Sequence, residues 1–243
     1  MMAVTMNTLL DNVGGLSAPA KMPCNGWSIP ATTCKLGSLL RPIEGTTCSV
    51  CYAMGGSYCF PCVVAAMERR FDIVREMAPI ERLQFVESMS DLLTRKAINT
   101  RKRIASGKNI GQDARYFRWF DSGDLQSVDM LAMICDIAEQ TPGVIFWLPT
   151  RESAIVRQFL DDGGIIPTNL CIRLSIIRMD DGVPAAYQTL MRRSHQITYS
   201  GVHTTEKPET GETCIAYTQD GECRDCRACF TPSVAGVSYP KHT

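Results

Sequence analysis

Near its carboxyl end the chain carries Cys214-x8-Cys223-x2-Cys226-x2-Cys229, and few folded environments accommodate so many thiols at that spacing. Two-residue gaps turn successive thiols toward one small centre, and a fourth from a preceding loop completes a four-thiolate shell. The stretch of about forty residues after residue 22, rich in Cys, Gly and Pro, likewise reads as irregular loop held by something other than apolar burial, for which metal would serve. Iron-sulfur and zinc both accept four thiolates, and spacing alone does not separate them. The bland alternative is a set of unligated reduced thiols.

A second group lies early in the chain: Cys34, Cys48, Cys51, Cys59 and Cys62, with Cys24 nearby. Cys48-x2-Cys51 sits in a loop followed by Tyr52, which suits a ligand pair. Cys59-Phe60-Pro61-Cys62 precedes a helical pattern, and a helix start lowers thiol pKa, so this pair reads either as a dithiol couple or as idle thiols. Cys135 and Cys171 fall on apolar faces and read as ordinary core residues. The opening MMAVTMNTLLDNVGG lacks the basic start and long apolar stretch of a secretory signal, so a cytoplasmic, reducing setting is expected, favouring metal over disulfides. Only three histidines occur, His195, His203 and His242, and none has Cys2His2 or HExxH spacing. Thiolate-only ligation is therefore expected.

The remaining composition is that of a soluble globular chain of 243 residues, 45% hydrophobic, with 25 Lys+Arg balancing 25 Asp+Glu. No global field draws it to nucleic acid or to a membrane surface. Val144 to Leu148 is typical of its apolar runs, far short of the roughly 20 residues of a membrane span. Residues 1–22 show little periodicity and read as an arm, leaving residues 23–243 as a single domain. Within it, helical periodicity predicts helices from Pro61 to Ala78, from Pro79 to Ile104, from Val128 to Glu139, from Glu152 to Leu160 and from Pro184 to Arg193. Between them, Ala114 to Phe120, Val144 to Pro149, Leu170 to Ile177 and Gln196 to Val202 read as strands. This alternation predicts an α/β fold: a partial parallel β/α barrel with cysteine-rich terminal segments.

In parallel sheets reactive groups gather just beyond the carboxyl ends of the strands. Here those positions hold Asp121-Ser122-Gly123-Asp124, Thr150-Arg151-Glu152, Ser175 to Arg178 and Ser200 to His203. Arg95, Lys96, Arg101, Lys102, Arg103 and Lys108 form a run without an acid, which can meet phosphates or simply face solvent. No Walker A loop, dinucleotide fingerprint or nucleophile elbow is present.

Several segments resemble the phage Gene product 88 family: Lys21-Met22-Pro23 with Ser28-Ile29-Pro30-Ala31; Cys34 with Cys48-Ser49-Val50-Cys51-Tyr52-Ala53; Phe117 to Asp124; and Phe146 to Arg151. Cys223-Arg224-Asp225-Cys226-Arg227-Ala228-Cys229 is similar too. The resemblance implies a phage-encoded protein with an iron-sulfur cluster and a poorly defined role. The layout also resembles radical S-adenosylmethionine enzymes, in which three cysteines hold a [4Fe-4S] cluster. By position, Gly123 and Asp124 would then lie where such an enzyme contacts the methionine amine. The chain departs from their usual CxxxCxxC, because Cys34 stands 14 residues before Cys48.

The resulting expectation is at least one [4Fe-4S] cluster. Cys34, Cys48 and Cys51 form one site; Cys214, Cys223, Cys226 and Cys229 form a second or lend a ligand to the first. Asp121, Gly123, Asp124, Thr150, Arg151 and Ser175 are candidates to bind S-adenosylmethionine or a substrate in the host cytoplasm. The alternative is a non-catalytic module stabilised by zinc or iron-sulfur, with the basic run touching nucleic acid. A third reading is a Cys59/Cys62 oxidoreductase.

Overall fold

The computed structural model describes residues 4–204 and 211–241. The expected alternation is present. Strands β1 (Gly26–Trp27), β2 (Tyr116–Trp119), β3 (Ile145–Thr150), β4 (Leu170–Ser175), β5 (Ile197–His203), β6 (Glu212–Thr213) and β7 (Gly236–Pro240) form one sheet in the order β1-β2-β3-β4-β5-β7-β6. Every pairing in it is parallel. The sheet does not close, and it has the form of part of a β/α barrel.

Helices α1 (Met6–Asn12), α2 (Lys35–Leu40), α3 (Pro61–Arg75), α4 (Pro79–Ala105), α5 (Val128–Gln140), α6 (Ser153–Asp161) and α7 (Ala185–Arg193) complete the architecture. Side chains alternate faces along a strand, so each strand sorts its residues between two environments. Phe117, Trp119, Phe146, Leu148, Ile172 and Leu174 join the main core. That core also takes Leu92 and Leu93 of α4, Ile134 of α5, Val156 of α6 and Leu190 of α7. Trp147 and the half-buried Tyr116, on the other face, meet Cys24, Phe230, Met22, Cys229 and Tyr239 instead. Helices α1 and α3 to α7 therefore pack on one face of the sheet, while α2 lies among the cysteine loops and cysteine-bearing chain from both ends of the molecule covers the other face.

Local signals explain the longer elements. Pro61 and Pro79 occupy the first turns of α3 and α4, where a missing N–H costs nothing. Ser127 caps α5 by accepting from the Met130 N–H at 3.1 Å. In α4 the buried stripe is Phe85, Val86, Met89, Leu92, Leu93 and Ala97, and Leu83 points outward at 60% exposure. Within the segment read as an arm, α1 contributes Leu9 to the main core, and Val13 follows it there. Among the described residues no helix is long and apolar enough to cross a membrane.

Candidate metal centres

The amino-terminal group is built where β1 and β2 end. Beyond β1 a single helical turn leads to Cys34, and α2 starts immediately after it. Gly37 in α2 leaves bare space in front of two thiols: a methyl group there would meet Cys48 Sγ at 3.6 Å and Cys34 Sγ at 3.7 Å. The loop carrying Cys48 and Cys51 is fixed by Thr46, whose hydroxyl donates to the Leu40 and Ile43 carbonyls at 2.9 and 2.8 Å. It is also tied to the chain beyond β4, with the Thr47 N–H donating to the Ile177 carbonyl at 2.9 Å. Burial pushes the Cys34 thiol up to about 12, and Asp124, Cys51 and Cys48 add to the rise. Burial also raises Cys48, opposed by the Arg151 cation. Cys34, Cys48 and Cys51 thus share one electrostatic neighbourhood with Asp124 and Arg151.

The turn after β2 supplies the polar floor. Phe120 adopts φ 51°, a strained value for a bulky residue, and Gly123 adopts φ 81°. Their reversal sends both aspartates back under the loop. Asp124 Oδ1 accepts from Thr150 Oγ1 at 2.6 Å and from the Leu125 N–H at 2.8 Å; Oδ2 accepts from the Arg151 N–H at 2.9 Å. Burial nonetheless pushes the Asp124 carboxyl up to about 6. Asp121 Oδ2 accepts from the Tyr58 hydroxyl at 3.1 Å, while Oδ1 is buried without a partner. Arg151 Nη1 donates to the Ile176 carbonyl at 2.9 Å, and Ser175 Oγ lies 3.5 Å from Ser200 Oγ. Asp124, Thr150 and Arg151 are therefore brought together beside the thiols. Gly123 acts through close packing on Ile29, and Ser175 stands one strand further along.

The carboxyl-terminal group lies over the face that carries Tyr116 and Trp147. Electrostatic coupling links Cys214, Cys223, Cys226 and Cys229. Burial pushes Cys229 up to about 12, eased by Tyr239, whose hydroxyl is 3.2 Å from Cys229 Sγ. Arg173, fully buried on β4, holds this loop through the carbonyls of Ala228, Cys229, Thr231 and Val234 at 2.6 to 3.1 Å. Cys24, near the first group in sequence, sits here instead. It packs with Trp147 and Phe230 and is electrostatically coupled to Cys223, and burial raises its thiol to about 12. Three buried N–H groups around this group have no partner: Arg118 Nε, Trp147 Nε1 and Arg227 Nε. Among the described residues, no three His, Cys, Asp or Glu side chains are arranged as ligands of a single ion.

Other sequence candidates are located elsewhere. Cys59 and Cys62 are exposed at the start of α3. Cys135 is buried in α5, and Cys171 is buried 3.6 Å from Thr198 Oγ1. His203 is buried against Ser238 Oγ at 2.7 Å, His195 is exposed, and His242 lies outside the described residues. Much of the basic run is engaged internally: Arg95 pairs with Asp91, Arg101 donates to the Gly143 carbonyl and Arg103 to that of Asn109. Sequence reasoning missed Cys24, Tyr52, Tyr58, Arg118 and Arg173. The two arginines had a readable signal, because each is a charge at alternate positions of an otherwise apolar strand.

Fold and site define an open parallel α/β protein with thiol-bearing loops along one face of its sheet. Residues 3–236 match the model of the Gene product 88 family, and the chain belongs to that family. No curated protein and no solved structure matches it.

Proposed function

We propose that this phage family member is an iron-sulfur protein with a radical S-adenosylmethionine-like layout, working in the reducing host cytoplasm. The observation that carries the reading is the convergence of cysteine loops from both chain ends on one sheet face, beside a buried acidic turn at the strand ends. The donor chemistry suits metal, although among the described residues no three such side chains are arranged around a single ion: thiols that burial makes costly as free thiolates are stabilised once metal neutralises them. Unpartnered N–H groups beside the second group are suited to thiolate or sulfide acceptors.

Cys34, Cys48 and Cys51 would hold a [4Fe-4S] cluster, and Cys214, Cys223, Cys226 and Cys229 a second thiolate centre. When bound, such a cluster supplies one-electron chemistry. Around it the protein's own groups bind and orient. Asp124 offers a carboxylate fixed by Thr150 and by the Leu125 and Arg151 N–H groups, and its proton is exchangeable near pH 6. Asp121 offers an unsatisfied oxygen to a cationic or hydroxylated ligand. Arg151 suits a carboxylate, as on the methionine moiety of S-adenosylmethionine.

Anaerobic purification with metal and sulfide analysis tests the reading. Iron and acid-labile sulfide in comparable amounts, with loss on Cys48→Ser, are expected. Colourless protein holding stoichiometric zinc and no sulfide overturns it. Reductive cleavage of S-adenosylmethionine by the dithionite-treated protein, lost in Asp124→Ala, separates the enzymatic reading from a metal-stabilised module.

A further inference from the structure

Lys96, Asn99, Thr100 and Arg103 recur along α4 at the spacing that brings side chains onto one helical face. A helix face turned toward another segment is ordinarily apolar, as Leu92, Leu93 and Ala97 are on the neighbouring stripe. Here the facing segment is the loop of residues 109–114, and an open cavity of about 610 Å³, lined also by Asn25, lies between the two. Among the described residues no carboxylate lines it, and its apolar side chains are Ile110 and Ala114. The rim is built. Arg103 Nε donates to the Asn109 carbonyl at 3.0 Å, and its Nη2 donates to the same atom. Asn109 Oδ1 accepts the Gly111 N–H at 3.0 Å, which sets the turn. Gln112 Nε2 reaches inward to the Pro19 and Met22 carbonyls at 3.5 and 3.4 Å.

Two donors of this cavity lack partners. Thr100 is only 5% exposed, yet among the described residues its hydroxyl makes no hydrogen bond, not even the one to the preceding helical turn that Thr141 and Thr189 make. Lys96 is half-buried and has neither ion pair nor hydrogen bond among those residues, and burial, with no anion opposing it, holds its ammonium below the ordinary lysine range. An unpaired buried hydroxyl and a desolvated cation without a counter-charge each cost free energy in the unliganded protein. An anion that accepts from both removes both costs.

We propose that this cavity binds a phosphorylated sugar, with the phosphate held by Lys96, Thr100 and the free Nη1 of Arg103 and the hydroxyls met by the amides of Asn25, Asn99 and Asn109. A phosphate monoester matches two cations with no opposing carboxylate. Side-chain amides both donate and accept, as sugar hydroxyls do. The lining holds no aromatic side chain, so a base finds no stacking platform, which disfavours single-stranded nucleic acid as the occupant. The ligand is therefore a free sugar phosphate or the ribose phosphate of a mononucleotide. This site is independent of metal at the cysteine groups.

Isothermal titration of the full-length protein with ribose 5-phosphate, glucose 6-phosphate and adenosine 5′-phosphate tests the site, with inorganic phosphate as the reference for the anion alone. At least one of the three should bind more tightly than about 1 mM and about tenfold more tightly than phosphate. A sugar phosphate matching the nucleotide marks a free sugar phosphate as the source, and a preference of about tenfold for the nucleotide marks a mononucleotide. K96M should weaken binding about tenfold and T100V about fivefold. K102M, at an exposed lysine of the same basic run outside the cavity, should leave it unchanged. Because Lys96 is unpaired, K96M should not lower the melting temperature of the unliganded protein. Equal weakening by K96M and K102M means general charge attraction and overturns the site. A melting temperature lowered by K96M makes that lysine structural and overturns it too, as does folded parent protein that binds none of the three more tightly than phosphate.

Discussion

Arg173 is fully buried without an ion pair among the described residues, and its guanidinium is satisfied by five main-chain carbonyls, that of Tyr199 included. Such a residue fastens a loop that has little apolar surface of its own. Arg173→Met strands those carbonyls and should cost on the order of 3–5 kcal/mol in urea denaturation, with early proteolysis between residues 214 and 231. A loss below about 1 kcal/mol would show that the loop is held otherwise. Asp124 gives a pH signature in metal-free protein. Its folded carboxyl sits at about 6 against an ordinary 3.8, so between those values the folded state holds the proton more tightly than the unfolded chain. Stability should fall as pH rises through that window, by about 3 kcal/mol at most, and stay level above it. Asp124→Asn should flatten this slope in denaturation series from pH 4 to 7. The sequence marks Arg173 as a charge inside an apolar strand but not the carbonyls it fastens, and marks Asp124 only as one of two turn aspartates.

At the level of elements, helix and strand periodicity located all the longer pieces, since long amphipathic runs carry their burial pattern locally. The pieces that escaped are the short ones. β1 is two residues and β7 five, and each exists only because a neighbouring strand offers a parallel edge. α2 is six residues, with its first turn held by Glu152, whose Oε1 accepts the Leu36 N–H at 2.8 Å. The β1–β2 edge also fixes Gly123. Beyond its φ of +81°, a Cβ there would lie 2.3 Å from Ile29 Cγ1 and 2.8 Å from the Ile29 carbonyl oxygen. Gly123→Ala should therefore cost about 2 kcal/mol or more and displace the segment leading to Cys34, read as a lower melting temperature with faster hydrogen exchange around Cys34. Gly107 also has positive φ but faces open space, so Gly107→Ala should cost only about 1 kcal/mol. Similar losses at both positions would argue against the Ile29 contact as the cause.

For the whole molecule, the division of the sheet into two faces sets what metal can stabilise. The helical face has a continuous apolar core that needs no ligand, whereas the other face relies on a small cluster around Trp147 and Phe230 beneath loops rich in thiols. On the proposed iron-sulfur reading, removing metal should therefore act unevenly. Anaerobic chelation should leave far-ultraviolet ellipticity nearly unchanged, while hydrogen exchange rises in residues 21–60 and 214–231 and stays slow in α4 and α5. Acidification should produce the same pattern from the loaded state. Burial holds Cys24, Cys34 and Cys229 at about 12, so those of them that ligate must release a proton on loading, and falling pH drives that equilibrium back. Exchange that rises uniformly through α4 and α5 on chelation would mean instead that the metal supports the helical core as well, making the thiol loops part of one cooperative unit rather than a separately stabilised cover.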